Sequence, residues 1–244
     1  MTYRLESAAA SRIGRARTIN EDFAAVARVA SAAGEPFTLW LVADGVGGGP
    51  QGEDASRAAV DTVVEQLRRA AWSDPSEALT TAYGAAGDRV AALTSHGSAA
   101  TTLVAALVSE VDGRVWVANV GDSRAYLVAR GAMRILTEDH SVAGEAVAAG
   151  RMTRESARTA AERHVLTRAL GPSRDVAVDV FGPWRLGSGA RVVLCTDGVY
   201  GVVDEPTIFA LASLPVREAA DRLVEAAIQA GGKDDATACV GGVG

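Results

Sequence analysis

Helical patterns in this sequence occur as adjacent pairs instead of one after each strand. Apolar residues with a period of 3.6 mark a helix around 55–67, and Asp74-Pro75 opens a second helix soon after it. A late helix begins near Pro215 and ends at Gly231-Gly232. The strand-like runs between them are joined by short turns, which favours antiparallel pairing. The sequence therefore predicts an α+β fold in which helices are layered on a sandwich of sheets.

The strands are predicted from short runs that are apolar or alternate between apolar and polar residues. They lie at 5–11, 22–30, 38–43, 102–109, 114–120, 123–129, 176–181, 191–195 and 236–240. No repeat or low-complexity linker divides these runs, so residues 1–244 are expected to form one domain. Hydrophobic residues make up 48% of the chain, which is enough for a sizeable core.

The apolar runs and the net charge bear on location and partners. No apolar run approaches the roughly 20 residues that span a bilayer, and the charged N-terminus is unlike a secretory signal. We therefore expect a cytoplasmic protein that does not contact a membrane. The net charge of −6 argues against nucleic acid as the main partner.

Two strands far apart in the sequence end in the same dipeptide. Asp44-Gly45 follows the run at 38–43, Asp197-Gly198 follows the run at 191–195, and Asp234-Asp235 precedes the last strand. One such aspartate is often only a turn residue, but three predict carboxylates that converge at a sheet edge, where cations would offset their repulsion. The few histidines and cysteines have no zinc-site spacing, so oxygen ligands are expected.

The glycine-rich loop after Asp44 contains Gly47-x-Gly49-x-x-Gly52, which has the form of a dinucleotide-binding fingerprint. That function needs a second strand that ends in an acidic residue about 20 residues further on. A second helical pattern follows the first instead, and Pro50 stands where a backbone N–H should face the pyrophosphate. Dinucleotide binding therefore stays a minor alternative.

Eight short motifs follow one another over nearly the whole chain. They are Gly14-x-x-Arg17-x-x-Asn20-Glu21-Asp22, Val42-Ala-Asp44-Gly45-Val-Gly-Gly, Gly97-Ser-Ala-Ala-Thr101-Thr102, Val120-Gly121-Asp122-Ser123-Arg124, Leu136-Thr-Glu-Asp139-His140-Ser141, Leu166-Thr-Arg168-Ala-Leu-Gly171, Leu194-Cys-Thr-Asp197-Gly198 and Gly231-Gly-Lys-Asp234-Asp235-Ala-Thr. In this order they resemble the PPM family, the metal-dependent type-2C serine/threonine protein phosphatases, in its bacterial form. The resemblance implies a central sandwich of two antiparallel sheets flanked by pairs of helices.

The resemblance also implies two tightly bound Mn²⁺ or Mg²⁺ ions and a third, weaker one. The ligands that it assigns are Glu21, Asp22, Asp44, Asp122, Asp197, Asp234 and the carbonyl of Gly45. Asp44 would bridge the two tight ions, and Asp122 with Asp197 would hold the third. Glu21 and Gly45 would act largely through water.

The implied activity is hydrolysis of phosphoserine and phosphothreonine in proteins by a metal-activated water. The catalytic set would be Asp44, Asp197, Asp234 and Arg17, and the planar fork of Arg17 suits it to grip the phosphate. The competing hypothesis is a pseudophosphatase that binds phosphoproteins or regulates partners without turnover. Since every assigned ligand is present, catalysis is favoured.

Two positions depart from the family pattern. Val46 stands where many eukaryotic members have a histidine that protonates the leaving group, so no general acid is identified. Asp235 replaces the usual asparagine, and we expect its extra charge to alter metal affinity. His140 is expected to have a structural role at the strand edge.

A segment at about 141–164 corresponds to the mobile flap of family members, and its composition predicts short helices. Arg151, Arg154 and Arg158 lie in this segment and are predicted to bind substrate. The expected partners are phosphoproteins, the products of a serine/threonine kinase. The protein is expected to be a monomer.

Overall fold

Two antiparallel sheets form the centre of the structure, a computed structural model that describes residues 3–47, 50–93, 99–171 and 176–244. The strands are β1 (Leu5–Arg12), β2 (Asp22–Ala30), β3 (Pro36–Val46), β4 (Ala100–Thr101), β5 (Leu103–Ser109), β6 (Arg114–Val120), β7 (Arg124–Ala129), β8 (Ala132–Ile135), β9 (Asp179–Arg185), β10 (Arg191–Cys195) and β11 (Ala236–Val243). The helices are α1 (Pro50–Arg69), α2 (Pro75–Ala91), α3 (Val142–Ala148), α4 (Arg154–Ala157), α5 (Asp197–Tyr200), α6 (Glu205–Ala212) and α7 (Val216–Gln229), with a 3₁₀ turn at Ala161–His164.

The two sheets face each other across a shared apolar layer. The β10 sheet has the strand order β1-β11-β10-β7-β8, and the β3 sheet has the order β2-β3-β5-β6-β9, with β4 paired to the end of β3. Helices α1 and α2 pack on the outer face of the β3 sheet, and α6 and α7 pack on the outer face of the β10 sheet. The predicted sandwich of antiparallel sheets flanked by helix pairs is therefore confirmed.

Strand β3 shows how the sequence builds this sandwich. Leu39 and Leu41 pack towards α1, whereas the alternate residues Trp40 and Val42 pack towards the β10 sheet. Because both faces of the strand are covered, its sequence is a nearly continuous apolar run. Asp44 follows that run and thereby comes to the end of the sandwich.

Local signals set the ends of several helices. Asp74 Oδ1 accepts hydrogen bonds from the backbone N–H groups of Ser76 and Glu77 at 2.8 and 2.9 Å and caps α2. In the segment at 141–164, α3 stops before Gly150, which has a φ of 68°, and Thr153 caps α4. The short helices predicted there are confirmed. None of the described helices is long and apolar enough to cross a bilayer.

Other elements differ from the sequence expectation. The strand predicted at 176–181 is wrong in its bounds, because β9 runs over Asp179–Arg185. This strand lies at the edge of the β3 sheet, where Pro183 needs no N–H to donate. The sequence pattern missed β8, α5 and α6, which are too short to show a clear period.

The order after β3 excludes the dinucleotide-binding alternative. β3 is followed by α1 and α2, and β5 then pairs antiparallel with β3. The parallel βαβ unit that this function needs is not formed there, so that alternative is wrong. Gly49 of its motif, and Gly97 of the motif at 97–102, lie outside the described residues.

Candidate active site

Aspartates from both sheets meet at one end of the sandwich. The register of β2 and β3 places Asp22 directly opposite Asp44. Asp197 follows β10 as the first residue of α5, and Asp234 lies just before β11. The Thr196 hydroxyl donates a hydrogen bond to Asp22 Oδ2 at 2.9 Å and so joins the edges of the two sheets. The predicted carboxylates are therefore brought to a common edge.

These carboxylates lie close enough to alter each other's ionisation. Burial raises the pKa of Asp44 well above its usual value, and the charges of Asp22, Asp197, Asp122 and Asp234 raise it further. Burial is also the main cause that raises the pKa of Asp22 and that of Asp122. Such a cluster carries a repulsion that a bound cation would relieve.

Asp197 presents a carboxylate oxygen that the surrounding protein does not use. Its Oδ1 is buried and has no hydrogen-bond partner in the part of the chain that the structure describes. An unpaired buried carboxylate oxygen is unfavourable in an apolar setting, whereas a hard cation takes such an oxygen as a ligand. The donor set at this edge therefore fits a divalent cation of the Mg²⁺ or Mn²⁺ type.

The glycine after each strand-end aspartate is required by close backbone packing. A side chain at Gly198 would collide with the carbonyl oxygen of Asp235, and one at Gly45 would collide with the carbonyl oxygen of Gly52. The two Asp-Gly pairs thus bring neighbouring loops against the acidic edge. Gly45 itself follows Asp44 directly at this edge.

Arg17 lies inside the acidic cluster. Its Nε donates a hydrogen bond to Asp234 Oδ1 at 2.8 Å, and its Nη1 donates one to Glu21 Oε2 at 3.2 Å. The guanidinium thereby neutralises part of the charge of two carboxylates assigned to metals.

The candidate ligands are not drawn together into a closed metal site. Among the described residues, no three His, Cys, Asp or Glu side chains are grouped tightly enough to hold an ion by themselves.

Asp235 has a structural use for both of its oxygens. Oδ1 accepts a hydrogen bond from the backbone N–H of Gly14, and Oδ2 accepts one from that of Glu21, each at 2.8 Å. The side chain therefore ties the loop before β2, which carries Arg17, to the loop before β11. The negative charge of Asp235, which was expected to alter metal affinity, is therefore directed at these two backbone N–H groups.

Asp122 is held through its neighbouring backbone. His140 Nδ1 accepts a hydrogen bond from the Gly121 N–H at 3.0 Å, so its Nε2 carries the proton and donates to Asp179 Oδ2 at 2.9 Å. Burial lowers the pKa of His140, which keeps the ring neutral. The structural role expected of His140 is confirmed by these contacts.

Tyr200 and Arg124 contact the same region from the other side. The Tyr200 hydroxyl donates to the Asp122 carbonyl at 2.9 Å, and the Arg124 guanidinium lies 3.8 Å from the centre of the Tyr200 ring. Arg124 also pairs with both oxygens of Asp139. The sequence gave no signal for the contact between Tyr200 and Asp122.

His164 is a second residue that the sequence did not assign. Its Nδ1 lies 3.2 Å from Asp197 Oδ2, although its side chain is 57% exposed. The two residues are far apart in the sequence and share no spacing rule, so only the folded segment at 141–164 brings them together. The flap segment therefore reaches the acidic edge itself.

A cleft of about 550 Å³ separates the flap segment from α5 and α6. Arg154, Arg158 and Arg163 line it from the flap, and Asp197 lies in its wall. Arg151 is exposed and does not line it. The structure thus brings two of the three predicted substrate-binding arginines to a cleft that opens beside the candidate metal ligands.

Comparison with known sequences gives a consistent family. A family described as Protein phosphatase 2C matches residues 14–238. Serine/threonine phosphatase stp of Listeria monocytogenes is 32% identical over 240 residues, which cover 92% of this chain and 90% of that protein. Serine/threonine protein phosphatase PstP of Mycobacterium tuberculosis is 31% identical over 210 residues, or 84% of this chain and 40% of that protein.

Solved structures agree with these relatives. The PPM Ser-Thr phosphatase MsPP of Mycobacterium smegmatis, solved in complex with cacodylate, has 37% identity and a TM-score of 0.85, with 98% of each chain covered. The catalytic domain of PstP in complex with two manganese ions has 30% identity and a TM-score of 0.82, with the same coverage. Each similarity extends over the sandwich and the acidic edge described above.

Proposed function

This chain belongs to the protein phosphatase 2C family and is a serine/threonine protein phosphatase, and we propose that the acidic edge around Asp44 and Asp197 is its active site. Its substrates are phosphorylated proteins. The observation that carries the site assignment is the convergence of carboxylates from both sheets around a buried, unpaired oxygen of Asp197. A pseudophosphatase is expected to have lost a metal ligand. Because this chain retains every candidate metal ligand at the acidic edge, that alternative is not favoured.

Divalent cations fit the donors at this edge. Asp44, Asp197 and Asp234 would hold them directly, and Glu21, Asp22 and the Gly45 carbonyl would complete the set, largely through water. When bound, the cations supply a water that is nucleophilic at neutral pH and offset the charge of the phosphoryl group. Mn²⁺ is the first candidate, and a third, weaker ion between Asp122 and Asp197 is part of the proposal.

Arg17 would bind the substrate phosphate. Its side chain is 35% exposed, and its guanidinium pairs with two of the carboxylates that would hold the cations. With cations present, the charge of Asp234 is offset, so the guanidinium can turn its fork of N–H donors to two phosphoryl oxygens. Arg17 would thus orient the phosphorus for attack from the metal side.

The two positions considered as proton donors for the leaving group, Val46 and His140, do not supply one. Val46 is 41% exposed beside the acidic edge but has no titratable group. His140 is only 1% exposed, and its ring proton is used on Asp179. Leaving-group departure would therefore depend on the acidity of the substrate and on solvent.

The cleft beside the flap would receive the protein part of the substrate. Arg154 and Arg158 project from the flap to its wall, next to the carboxylates that would hold the cations. These two arginines would attract the acidic surroundings of a phosphorylated residue on the flap side of the cleft, whereas Asp204 and Glu205 line its opposite side. We propose that Arg154 and Arg158 bind substrate. Arg151 does not line the cleft, so no contact of this cleft supports the same role for it.

The flap role, the monomeric state and the cytoplasmic location remain predictions.

The experiment that tests the function is phosphate release by the purified chain from a phosphothreonine peptide. We expect turnover with added Mn²⁺, none with excess chelator, and recovery when Mn²⁺ is restored. A folded protein that releases no phosphate from peptides, from phosphoproteins or from an aryl phosphate under these conditions would contradict the assignment.

A further inference from the structure

The backbone around Gly121 and Asp122 is held from two sides. On one side, the Gly121 N–H donates to His140 Nδ1 at 3.0 Å, and the Gly121 carbonyl accepts the His140 N–H at 3.0 Å. On the other side, the Tyr200 hydroxyl donates to the Asp122 carbonyl at 2.9 Å. The backbone of Asp122 is thereby fixed before its carboxylate meets any ligand.

Tyr200 belongs to the same helical turn as Asp197. Helix α5 begins at Asp197 and ends at Tyr200, and the Gly201 N–H closes the turn on the Asp197 carbonyl at 2.7 Å. A single helical turn has little internal freedom, so the Tyr200 hydroxyl links two residues that carry carboxylates. One of these belongs to the turn itself, and the other belongs to Asp122 on the loop after β6.

The ring of Tyr200 is itself held in place. The Arg124 guanidinium lies 3.8 Å from the ring centre and is fixed by hydrogen bonds from its Nε and Nη2 to Asp139 at 2.9 and 2.6 Å. Arg124 thus presses the ring into the orientation in which the hydroxyl reaches Asp122. Removal of the hydroxyl alone would leave this ring contact intact.

We propose that Tyr200 is a positioning residue that fixes the separation of the Asp122 and Asp197 carboxylates for a divalent cation bound between them. The inference rests on the proposed function, in which these two residues hold the third, weaker ion. Residues that orient metal ligands from behind commonly change metal affinity by about 10- to 100-fold when they are replaced. Tyr200 acts on the ligand backbone, so we expect the lower part of that range.

The test is Mn²⁺ binding to the full chain, measured by the loss of the free-ion electron paramagnetic resonance signal during titration. In the Y200F variant, we expect the weakest class of sites to bind Mn²⁺ about tenfold less tightly, with the tighter sites unchanged. In a D122A background, the Y200F substitution should have no further effect, because the ligand that Tyr200 positions is gone.

Y126F is the matched control. The Tyr126 hydroxyl accepts a hydrogen bond from Arg124 Nη1 at 3.3 Å, so this variant also removes a phenol beside Arg124 but leaves Asp122 untouched. Wild-type behaviour of Y126F and a selective loss in Y200F would support the proposal. Equal losses in both variants, unchanged binding in Y200F, or an effect of Y200F that persists in D122A would overturn it.

Failure of the premise would be visible separately. A wild-type chain that binds no Mn²⁺ would contradict the proposed function itself. If D122A binds Mn²⁺ at the same number of sites and with the same affinities as the wild type, Asp122 holds no third ion. The role proposed for Tyr200 would then be refuted as well. Thermal unfolding of each variant in chelator shows whether a loss of binding reflects a loss of fold.

Discussion

Asp22 and Asp44 are paired directly opposite each other on β2 and β3. Cβ atoms in such a pair lie about 4.5–5.5 Å apart, and like charges in this position are destabilising. Both pKa values are raised by burial, and each carboxylate also feels the charge of others at this edge. A fold retains such a pair where a ligand offsets the charge, so the pair leads to predictions about activity and about stability.

The first prediction concerns the carboxylates that would contact the cations. Replacing Asp44 or Asp197 by asparagine keeps the shape but removes a negative ligand, and we expect kcat to fall at least about 100-fold with the fold retained. The measurement is Mn²⁺-dependent phosphate release from a phosphopeptide, with circular dichroism as the check on folding. D61N, on the exposed face of α1, is the matched control and should behave as the wild type. Near-normal turnover in D44N or D197N would refute the metal assignment.

The second prediction concerns the stability of the metal-free protein. The folded pKa of Asp44 lies above its unfolded value, so the folded state binds more protons. The free energy of unfolding should therefore fall as the pH rises from the ordinary aspartate range through the raised pKa. Urea unfolding in chelator at a series of pH values measures this slope.

Two variants of that experiment test whether Asp44 causes this pH dependence. The free energy of unfolding of D44N should fall less steeply with pH than that of the wild type, because D44N lacks the carboxyl group whose pKa is raised. Saturating Mn²⁺ should raise stability most at the higher pH values, where the cluster is ionised and binds cations best. Identical slopes in D44N and the wild type would show that another group causes the pH dependence.

Much of this site was predictable because its signals are local. The glycine after Asp44 and after Asp197 is required by backbone collisions that any side chain would cause, so the Asp-Gly pattern records the geometry directly. The strands at 22–30, 114–120 and 191–195 were predicted with the bounds that the structure has, since their apolar runs end at charged residues or turns.

The remainder depends on contacts between distant parts of the chain. Tyr200 reaches Asp122, and His164 reaches Asp197, only after the flap and α5 have packed against the sheet ends. No periodicity or spacing in the sequence encodes such pairs. Helix α6 was missed for a different reason, because eight mostly apolar residues are too few to show a clear helical period.

The third prediction concerns Asp235. Both carboxylate oxygens accept backbone N–H groups, from Gly14 and Glu21. An asparagine can accept only one of these, and its NH₂ group would face the other donor. We expect D235N to lower the free energy of unfolding by about 1–3 kcal/mol, as measured by urea denaturation in chelator. D61N again serves as the control, and an unchanged midpoint in D235N would contradict the bracing role.

The fourth prediction concerns the leaving group. Val46 beside the site has no proton to give, and His140 is buried with its ring proton on Asp179, so neither of these two positions can protonate the departing oxygen. The rate should therefore depend steeply on the pKa of the leaving group, and aryl phosphates should be cleaved much faster than small alkyl phosphates. A series of substituted phenyl phosphates at saturating Mn²⁺ measures this dependence. A flat series would show that a protein group donates the proton.

The last prediction separates the flap arginines from one another. Arg154 and Arg158 line the cleft beside Asp197, whereas Arg151, on the same segment, is exposed away from it. We expect the R154A/R158A double variant to lower kcat/KM for a phosphoprotein about 10-fold at low salt, since two charges that attract the substrate are lost. The activity on a small aryl phosphate, which does not fill the cleft, should be unchanged. R151A removes a charge from the same segment and should match the wild type on both substrates.

Salt distinguishes attraction from shape. The loss in R154A/R158A should shrink as the ionic strength rises, because at about 0.15 M salt the Debye length is already only about 8 Å. A loss that is independent of salt and equal for both substrates would mean that these arginines support the site or the fold. A loss in R151A as large as that in the double variant would mean that the net charge of the flap matters and that the cleft does not. Only the substrate-selective, salt-sensitive loss in R154A/R158A places the protein part of the substrate in this cleft.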